Sequence, residues 1–186
     1  TKQFTTTTLL LLEEEGRIDL DASVRSVLPE LPELFAPLTF RHLATNTSGL
    51  RDYMVLPGLA NGIPFGTFTR ELTTKLIHAQ RSLMFEPGAR AVYSNTNFVL
   101  LGWSLERIED APLAEIFARR IFEPLGMRST RFLTQTQPQP EGSAVGYYAD
   151  EHGGYRAPRL NVYEAGDGGV WSTLDDLILW ECNFYD

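Results

Sequence analysis

The stretch Phe85-Glu86-Pro87-Gly88, followed by Tyr93-Ser94-Asn95-Thr96-Asn97-Phe98, joins a turn to the start of a helix. Pro-Gly pairs are typical of turns because proline fixes φ and glycine tolerates a positive φ. The residues from about Thr96 to Glu109 read as a helix, and asparagine is a preferred residue where helices begin. This stretch therefore predicts that Tyr93 and Asn95 lie at the start of a helix.

Tyr93-Ser94-Asn95 also has chemical potential. A tyrosine hydroxyl beside a lysine ammonium can share its proton and pass it to a leaving group. An asparagine carboxamide can donate to a substrate carbonyl and accept from a lysine. A tyrosine packed under a turn, with Asn95 as a helix cap, explains the same residues, and on these residues alone the structural interpretation is favoured.

A lysine opens another predicted helix, which covers residues 3 to 15 and ends at Gly16. Lys2 stands in the segment Thr1-Lys2-Gln3-Phe4-Thr5, ahead of four consecutive leucines. Burial penalises a charged lysine, which lowers its pKa and makes it a usable base. A lysine at a helix end can also extend into water. Taken alone, Lys2 fits the second explanation better.

The rest of the chain predicts more helices and a few late strands. The segment Gly166-Asp167-Gly168-Gly169 reads as a tight turn or a close approach to a ligand, and it lacks the Gly-Lys-Ser/Thr of a phosphate loop. The other predicted elements are short helices at 19–28 and 39–43, a loop at 46–64, helices at 67–80 and 112–122, a hairpin formed by 145–149 with Tyr155, and a last helix that follows a capping box at 172–175. This order indicates the interior of an α/β or α+β protein.

Composition excludes several classes of function. The 186 residues suit one domain, and a net charge of -8 argues against nucleic acid as a partner. Cys182, the single cysteine, cannot form an internal disulfide and is expected to be a half-buried helix residue. The histidines His42, His78 and His152 are far apart in sequence, so we expect no metal site, and no motif indicates a cofactor. The apolar run 9–12 is too short to span a membrane.

Six segments, in order along the chain, resemble segments of the penicillin-recognising serine hydrolases. This family includes class C β-lactamases, D-aminopeptidases, DD-carboxypeptidases and related esterases. The segments are TKQFT (1–5), LLEEEGRIDLD (11–21), RHLATNTSGL (41–50), FEPG with YSNTNF (85–98), IFEPLGM (121–127) and GGVWSTLDDL (168–177). The resemblance implies a β-lactamase-like fold, of which this piece would be mainly the helical region.

The resemblance also implies site residues. Lys2 corresponds to the lysine of the family's S-x-x-K motif, and Tyr93 and Asn95 correspond to its Y-x-N motif. The nucleophilic serine is then expected three residues before Lys2, upstream of Thr1. In such enzymes the serine forms an acyl-enzyme with a small-molecule or short peptide substrate. Lys2 and Tyr93 would carry its proton, and Asn95 would hold Lys2 and the substrate amide.

We expect residues 1–186 to be one internal segment of a β-lactamase-like domain, with sheet portions beyond both ends. The family's Lys/His-x-Gly motif is expected after Asp186, and the isolated segment is expected to be inactive. The segments 46–53 and 175–181 most resemble D-aminopeptidases. A non-catalytic relative that binds peptide or a partner protein is the alternative, and a helical interaction domain that matches by chance is a third. The compartment (cytoplasm, periplasm or outside the cell) and the oligomeric state stay open.

Overall fold

The computed structural model describes residues 1–56, 68–133, 140–150, 153–157 and 165–185. The helices are α1 (Lys2–Glu14), α2 (Phe40–Ala44), α3 (Arg70–His78), α4 (Asn95–Glu109), α5 (Leu113–Phe117), which a π-helical segment (Ala118–Phe122) continues, and α6 (Leu174–Cys182). The strands are β1 (Arg131–Phe132), β2 (Tyr148–Ala149), β3 (Tyr155–Arg156) and β4 (Val170–Trp171). Strand β1 pairs antiparallel with β4, and β2 with β3. This helical fold with few short strands agrees with the expected α+β class.

Helix α4 is the centre of the core. Every residue from Thr96 to Leu105 is buried, so this helix is enclosed on all sides. Helices α1, α2 and α5 pack against it. The predicted helix from Thr96 to Glu109 is confirmed to within one residue, and Asp110 ends it in the left-handed conformation (φ 51°). The Y-S-N segment is therefore fixed at the beginning of the most buried element.

Helix α1 ends as the sequence predicted. Gly16 has φ 69°, its amide donates to the carbonyl of Glu13, and the amide of Arg17 donates to Leu12. This pair of bonds is a Schellman motif, which satisfies carbonyls that the helix end would leave free. Leu9 and Leu12 are fully buried, whereas Leu10 remains about half exposed.

The predicted α-helix at 19–28 is wrong. Only a 3-10 turn, Val24–Ser26, forms there. The side chain of Asp19 accepts from the amide of Asp21, and the amide of Val24 donates to the carbonyl of Leu38. A short bridge between Ser23 and Thr39 completes this pairing. Local side-chain bonds and a non-local partner thus compete successfully with helix formation.

The other elements lie close to their predicted positions. Helix α3 begins after the cap Thr69, helix α2 after the cap Thr39, and the predicted hairpin is β2–β3. The cap of α6 is Thr173, which accepts from the amide of Asp176, one residue later than the predicted capping box. Cys182 ends α6 but is exposed, so its expected half-buried position is wrong. Of the predicted loop 46–64, residues 57–64 lie outside the described residues, as does His152 of the predicted hairpin turn. In the described part of the chain, no helix has the length and apolar character needed to cross a bilayer.

Two glycines bring α4 against the turn at 165–169. A Cβ on Gly102 would lie 1.8 Å from the carbonyl oxygen of Ala165, and one on Gly166 would lie 2.8 Å from that of Phe98. Both distances are far below van der Waals contact, so glycine is required on each side. This close approach places the glycine-rich turn beside the start of α1 and the start of α4.

Candidate active site

Lys2 lies at the start of α1 and faces Tyr93. Its Nζ donates to the backbone carbonyl oxygen of Asp167 at 2.6 Å. It also lies 5.1 Å from the centre of the Tyr93 ring and 5.4 Å from that of Phe98, within the range of cation–π contact. The lysine therefore does not extend freely into water. The fold brings it together with a tyrosine that is 91 positions away in the sequence.

Tyr93 and Asn95 are joined directly. The Tyr93 hydroxyl donates to Oδ1 of Asn95 at 3.2 Å. Tyr93 is open to solvent, with 61% of the residue exposed. Asn95 is the first residue of α4 and does not cap it, because Ser94 holds the cap position. The Nδ2 of Asn95 donates to Asp52 at 2.8 Å. In this structure the lysine ammonium thus bonds to the Asp167 carbonyl, whereas Asn95 bonds to Tyr93 and Asp52.

The glycine-rich turn holds the start of α1. Thr5 donates through Oγ1 to the carbonyl of Gly166 at 2.7 Å, and the amide of Val170 donates to Oγ1 of Thr1 at 3.0 Å. Gly166 and Gly169 have φ values of 102° and 98°. These bonds hold Thr1 and Thr5, which flank Lys2 in the sequence. Together with the bond from Lys2 to the Asp167 carbonyl, they fix the position of the lysine. The turn was predicted, whereas its role in holding the lysine was not.

A buried carboxyl group lies behind the lysine. Oδ2 of Asp167 accepts from the Tyr53 hydroxyl at 2.9 Å, and Oδ1 accepts from the amide of Ala165 at 3.2 Å. Tyr53 is fully buried and Asp167 is 8% exposed. Burial raises the pKa of Asp167, and the hydrogen bond from Tyr53 acts in the opposite direction. Sequence reasoning missed Tyr53 and Asp167; the one available signal was an ionisable residue inside a glycine-rich turn.

The segment Asn46-Thr47-Ser48-Gly49-Leu50 supports the Y-S-N segment. Asn46 accepts through Oδ1 from the amide of Ser94 at 3.1 Å and from Nδ2 of Asn97 at 2.9 Å. Ser48 donates to Oδ1 of Asn97 at 2.5 Å. Asn46 adopts φ 57°, a conformation that asparagine tolerates better than most residues. By bonding to Ser94 and Asn97, the side chains of this segment therefore help to hold Tyr93 and Asn95 in place.

Comparison with known proteins agrees with the expected fold and family. The family model described as Beta-lactamase matches residues 1–183, and the chain belongs to this family. The solved structures that the chain is similar to include penicillin-binding proteins and a β-lactamase/D-alanine carboxypeptidase. A match over this length also excludes the third interpretation, a chance resemblance.

Three individual proteins show which members of the family this chain is similar to. A D-aminopeptidase of Gluconobacter oxydans (strain 621H) is 37% identical over 182 residues, which are 97% of this chain and 34% of that protein. A D-stereospecific amidohydrolase from Streptomyces sp. is 30% identical, with a TM-score of 0.78, and the match covers 97% of this chain and 57% of that one. A penicillin-binding protein from Bacillus halodurans is 28% identical, with a TM-score of 0.82, over 99% of this chain and 56% of that one. The chain thus spans about a third of the length of the curated relatives that it matches.

Proposed function

We propose that the full-length protein is a serine hydrolase that works through an acyl-enzyme. The observation that carries this proposal is the placement of the Lys2 ammonium 5.1 Å from the Tyr93 ring, with the Tyr93 hydroxyl bonded to Asn95. A protein that only binds has no need for two proton-carrying groups side by side. Residues 1–186 are then an internal segment of the catalytic domain, and the nucleophilic serine precedes Lys2 by three positions.

Each group has a defined task in the proposed reaction. The serine oxygen attacks the carbonyl carbon of the substrate, and its proton passes to the pair formed by Lys2 and Tyr93. When the bond between the carbonyl carbon and the amine breaks, that proton goes to the leaving nitrogen and a serine ester remains. Water then attacks the ester, the same pair takes its proton, and the serine oxygen recovers one. The Asn95 carboxamide orients the Tyr93 hydroxyl in both steps and the substrate amide in the first step.

The proposed substrates are amides and short peptides of D-amino acids. The support is the likeness to a D-aminopeptidase and to a D-stereospecific amidohydrolase. Esters and β-lactams are expected to acylate the same serine, because their carbonyl carbons are open to the same nucleophile. The partner is therefore a small molecule or a short peptide.

The test treats the full-length protein with a fluorescent penicillin and, separately, with a fluorophosphonate, and maps the adduct by peptide mass spectrometry. We expect an adduct on a serine three residues before Lys2. Hydrolysis of D-alanine p-nitroanilide, with the L-isomer as comparison, should fall at least about 100-fold in Lys2→Ala and in Tyr93→Phe. Lys75→Ala and Tyr155→Phe are matched controls, because Lys75 and Tyr155 are exposed residues of α3 and β3.

A folded protein that takes up neither probe would overturn the proposal in favour of the non-catalytic binder. A residue other than serine three positions before Lys2 would do the same. A polypeptide restricted to residues 1–186 is expected to give no adduct and no turnover, because that position lies outside it.

A further inference from the structure

Asp52 makes three hydrogen bonds at the edge of the candidate site. Its Oδ2 accepts from the backbone amide of Asn95 at 3.1 Å and from the side-chain Nδ2 of Asn95 at 2.8 Å. Its Oδ1 accepts from the amide of Met54 at 2.8 Å. The side chain is half-buried, so water competes only in part for these bonds. Both ends of the carboxylate are therefore used as acceptors.

These bonds decide which way the Asn95 carboxamide faces. An amide group has a donor end and an acceptor end of nearly equal shape, and its environment selects between two orientations. Asp52 holds the donor end, so Oδ1 of Asn95 faces the Tyr93 hydroxyl, which donates to it at 3.2 Å. With the amide reversed, the NH2 could still donate to the Tyr93 hydroxyl, but Oδ1 would face the carboxylate oxygen of Asp52. The bond to Asp52 would be lost and two acceptors would face each other, which selects the observed orientation.

The same carboxylate lies where the start of α4 favours a negative charge. The first amides of a helix lack partners within the helix and carry partial positive charge. Ser94, the cap residue, makes no side-chain cap bond, whereas Asp52 accepts from the first amide of α4. A residue from another segment thus takes over this role and fixes the carboxamide of Asn95 with the same oxygen atom.

We propose that Asp52 is a positioning residue, which holds the Asn95 carboxamide with its oxygen on Tyr93. The second N–H of Asn95 lies against Sδ of Met54 at 3.5 Å, a weak acceptor that a substrate carbonyl would displace. The effect of Asp52 on turnover rests on the proposed function, whereas its effect on Asn95 does not. The role requires a carboxylate. An asparagine at position 52 would present its NH2 either to the amide of Met54 or to the two donors of Asn95, and a donor would face a donor in both cases.

The test compares Asp52→Asn and Asp52→Ala with a matched control, Asp176→Asn, in the full-length protein. Asp176 is a carboxylate that, like Asp52, accepts from a backbone amide (Ser129, 2.8 Å) and from a side chain (Thr130, 2.7 Å), but it is more deeply buried and lies in α6. With D-alanine p-nitroanilide, we expect kcat to fall about 10- to 100-fold in both Asp52 variants, with KM changed less than about threefold, because misplaced catalytic groups reduce rate more than binding. The control should keep kcat, per folded molecule, within about twofold.

A second readout does not depend on activity. Selective 15N labelling of asparagine, with Asn95→Ser as the assignment variant, reports the side-chain NH2 of Asn95 by NMR. We expect its resonances to move in Asp52→Ala and to stay in place in Asp176→Asn. Unchanged resonances, or kcat within twofold of the parent in both Asp52 variants, would overturn the positioning role. If the parent itself neither turns over nor takes up a probe, the proposed function fails, and the NH2 resonances alone decide the role of Asp52.

Discussion

The hydroxyl of Tyr53 donates to Oδ2 of Asp167 at 2.9 Å, across 114 positions of sequence and inside the core. The backbone carbonyl of the same Asp167 accepts from Nζ of Lys2 at 2.6 Å. Tyr53 is therefore linked to Lys2 through one intermediate residue, Asp167. Tyr53 directly follows Asp52, which bonds to Asn95. The dipeptide Asp52-Tyr53 therefore contacts Asn95 and also Asp167, the residue that bonds to Lys2.

Removal of the Tyr53 hydroxyl tests this connection. Tyr53→Phe keeps the ring that packs against Phe68 but leaves Oδ2 of Asp167 buried without its donor. We expect the free energy of unfolding to fall by about 1–3 kcal/mol, the cost of an unsatisfied buried polar group. Urea denaturation of the full-length protein measures this loss. Tyr147→Phe, at a position 65% exposed, is the control and should change it by less than about 0.5 kcal/mol.

The buried carboxyl of Asp167 should give stability a defined dependence on pH. Burial raises the pKa of Asp167 in the folded state, whereas the unfolded chain titrates near the ordinary value of about 3.9. Between these two values the folded state keeps a proton that the unfolded state has released. The free energy of unfolding therefore contains a contribution that is fully present below pH 3.9 and is lost as the pH rises through the folded-state pKa.

Asp167→Asn removes this titration while retaining groups that can bond to Ala165 and Tyr53. We expect the stability of the variant, relative to the parent, to increase as the pH rises from about 4. Denaturant melts at several pH values measure the difference. In Tyr53→Phe the hydrogen bond that lowers the pKa of Asp167 is absent. The pH range between the unfolded-state and folded-state pKa values of Asp167 should therefore be wider. A difference between Asp167→Asn and the parent that does not change with pH would show that Asp167 does not titrate in this way.

Local patterns predicted the longest core helix well, whereas the site residues came from the family resemblance and their roles stay a prediction. Helix α4 lies within one residue of its predicted bounds, because its apolar run and its polar ends agree with its burial. The resemblance predicted that Lys2, Tyr93 and Asn95 belong to one site, and the fold brings Lys2 beside Tyr93. The predicted helix at 19–28 failed where pairing with Thr39, a partner distant in sequence, decided the structure.

The residues behind the site could not be predicted from sequence. Asp52 is 43 positions from Asn95, and Tyr53 is 114 positions from Asp167. Periodicity and motif spacing describe near neighbours only, so pairs at such separations leave no local pattern. The resemblance implied a bond between Asn95 and Lys2. In the structure Asn95 bonds to Asp52, and Lys2 bonds to the carbonyl of Asp167. Such supporting contacts follow from the tertiary packing.

Gly102 tests the contact between α4 and the glycine-rich turn. In Gly102→Ala the new Cβ would lie 1.8 Å from the carbonyl oxygen of Ala165, so the turn must move away from α4. We expect the free energy of unfolding to fall by about 3 kcal/mol, the upper end of the usual cost of overpacking, because backbone cannot yield as a side chain can. Gly146→Ala is the control: it has no heavy atom within 4 Å of the added Cβ. Equal melting temperatures for the two variants would contradict the close packing.

Glu109 is the centre of a charged cluster that joins the ends of α1, α4 and the π-helical segment. Its side chain is 2% exposed and forms ion pairs with Arg17, Arg119 and Arg120, while Arg120 also binds Glu15. The hydrogen bond from Arg120 is the main cause that holds the pKa of Glu109 below its usual value. Such a carboxylate contributes stability at neutral pH, and the contribution is lost as the pH falls through the folded-state pKa.

Glu109→Gln should therefore cost about 1.5–3 kcal/mol at pH 7, the range for hydrogen bonds to charged groups. Because the parent loses this contribution on protonation of Glu109, the difference between the two proteins should shrink as the pH falls below about 4.3. Glu33→Gln is the matched control, since Glu33 pairs with Arg25 while 83% of its side chain is exposed, and it should cost less than about 1 kcal/mol. Denaturant unfolding at pH 7 and pH 3 measures both variants. Equal costs for Glu109→Gln and Glu33→Gln at pH 7 would show that the buried cluster stabilises the fold no more than an exposed pair does.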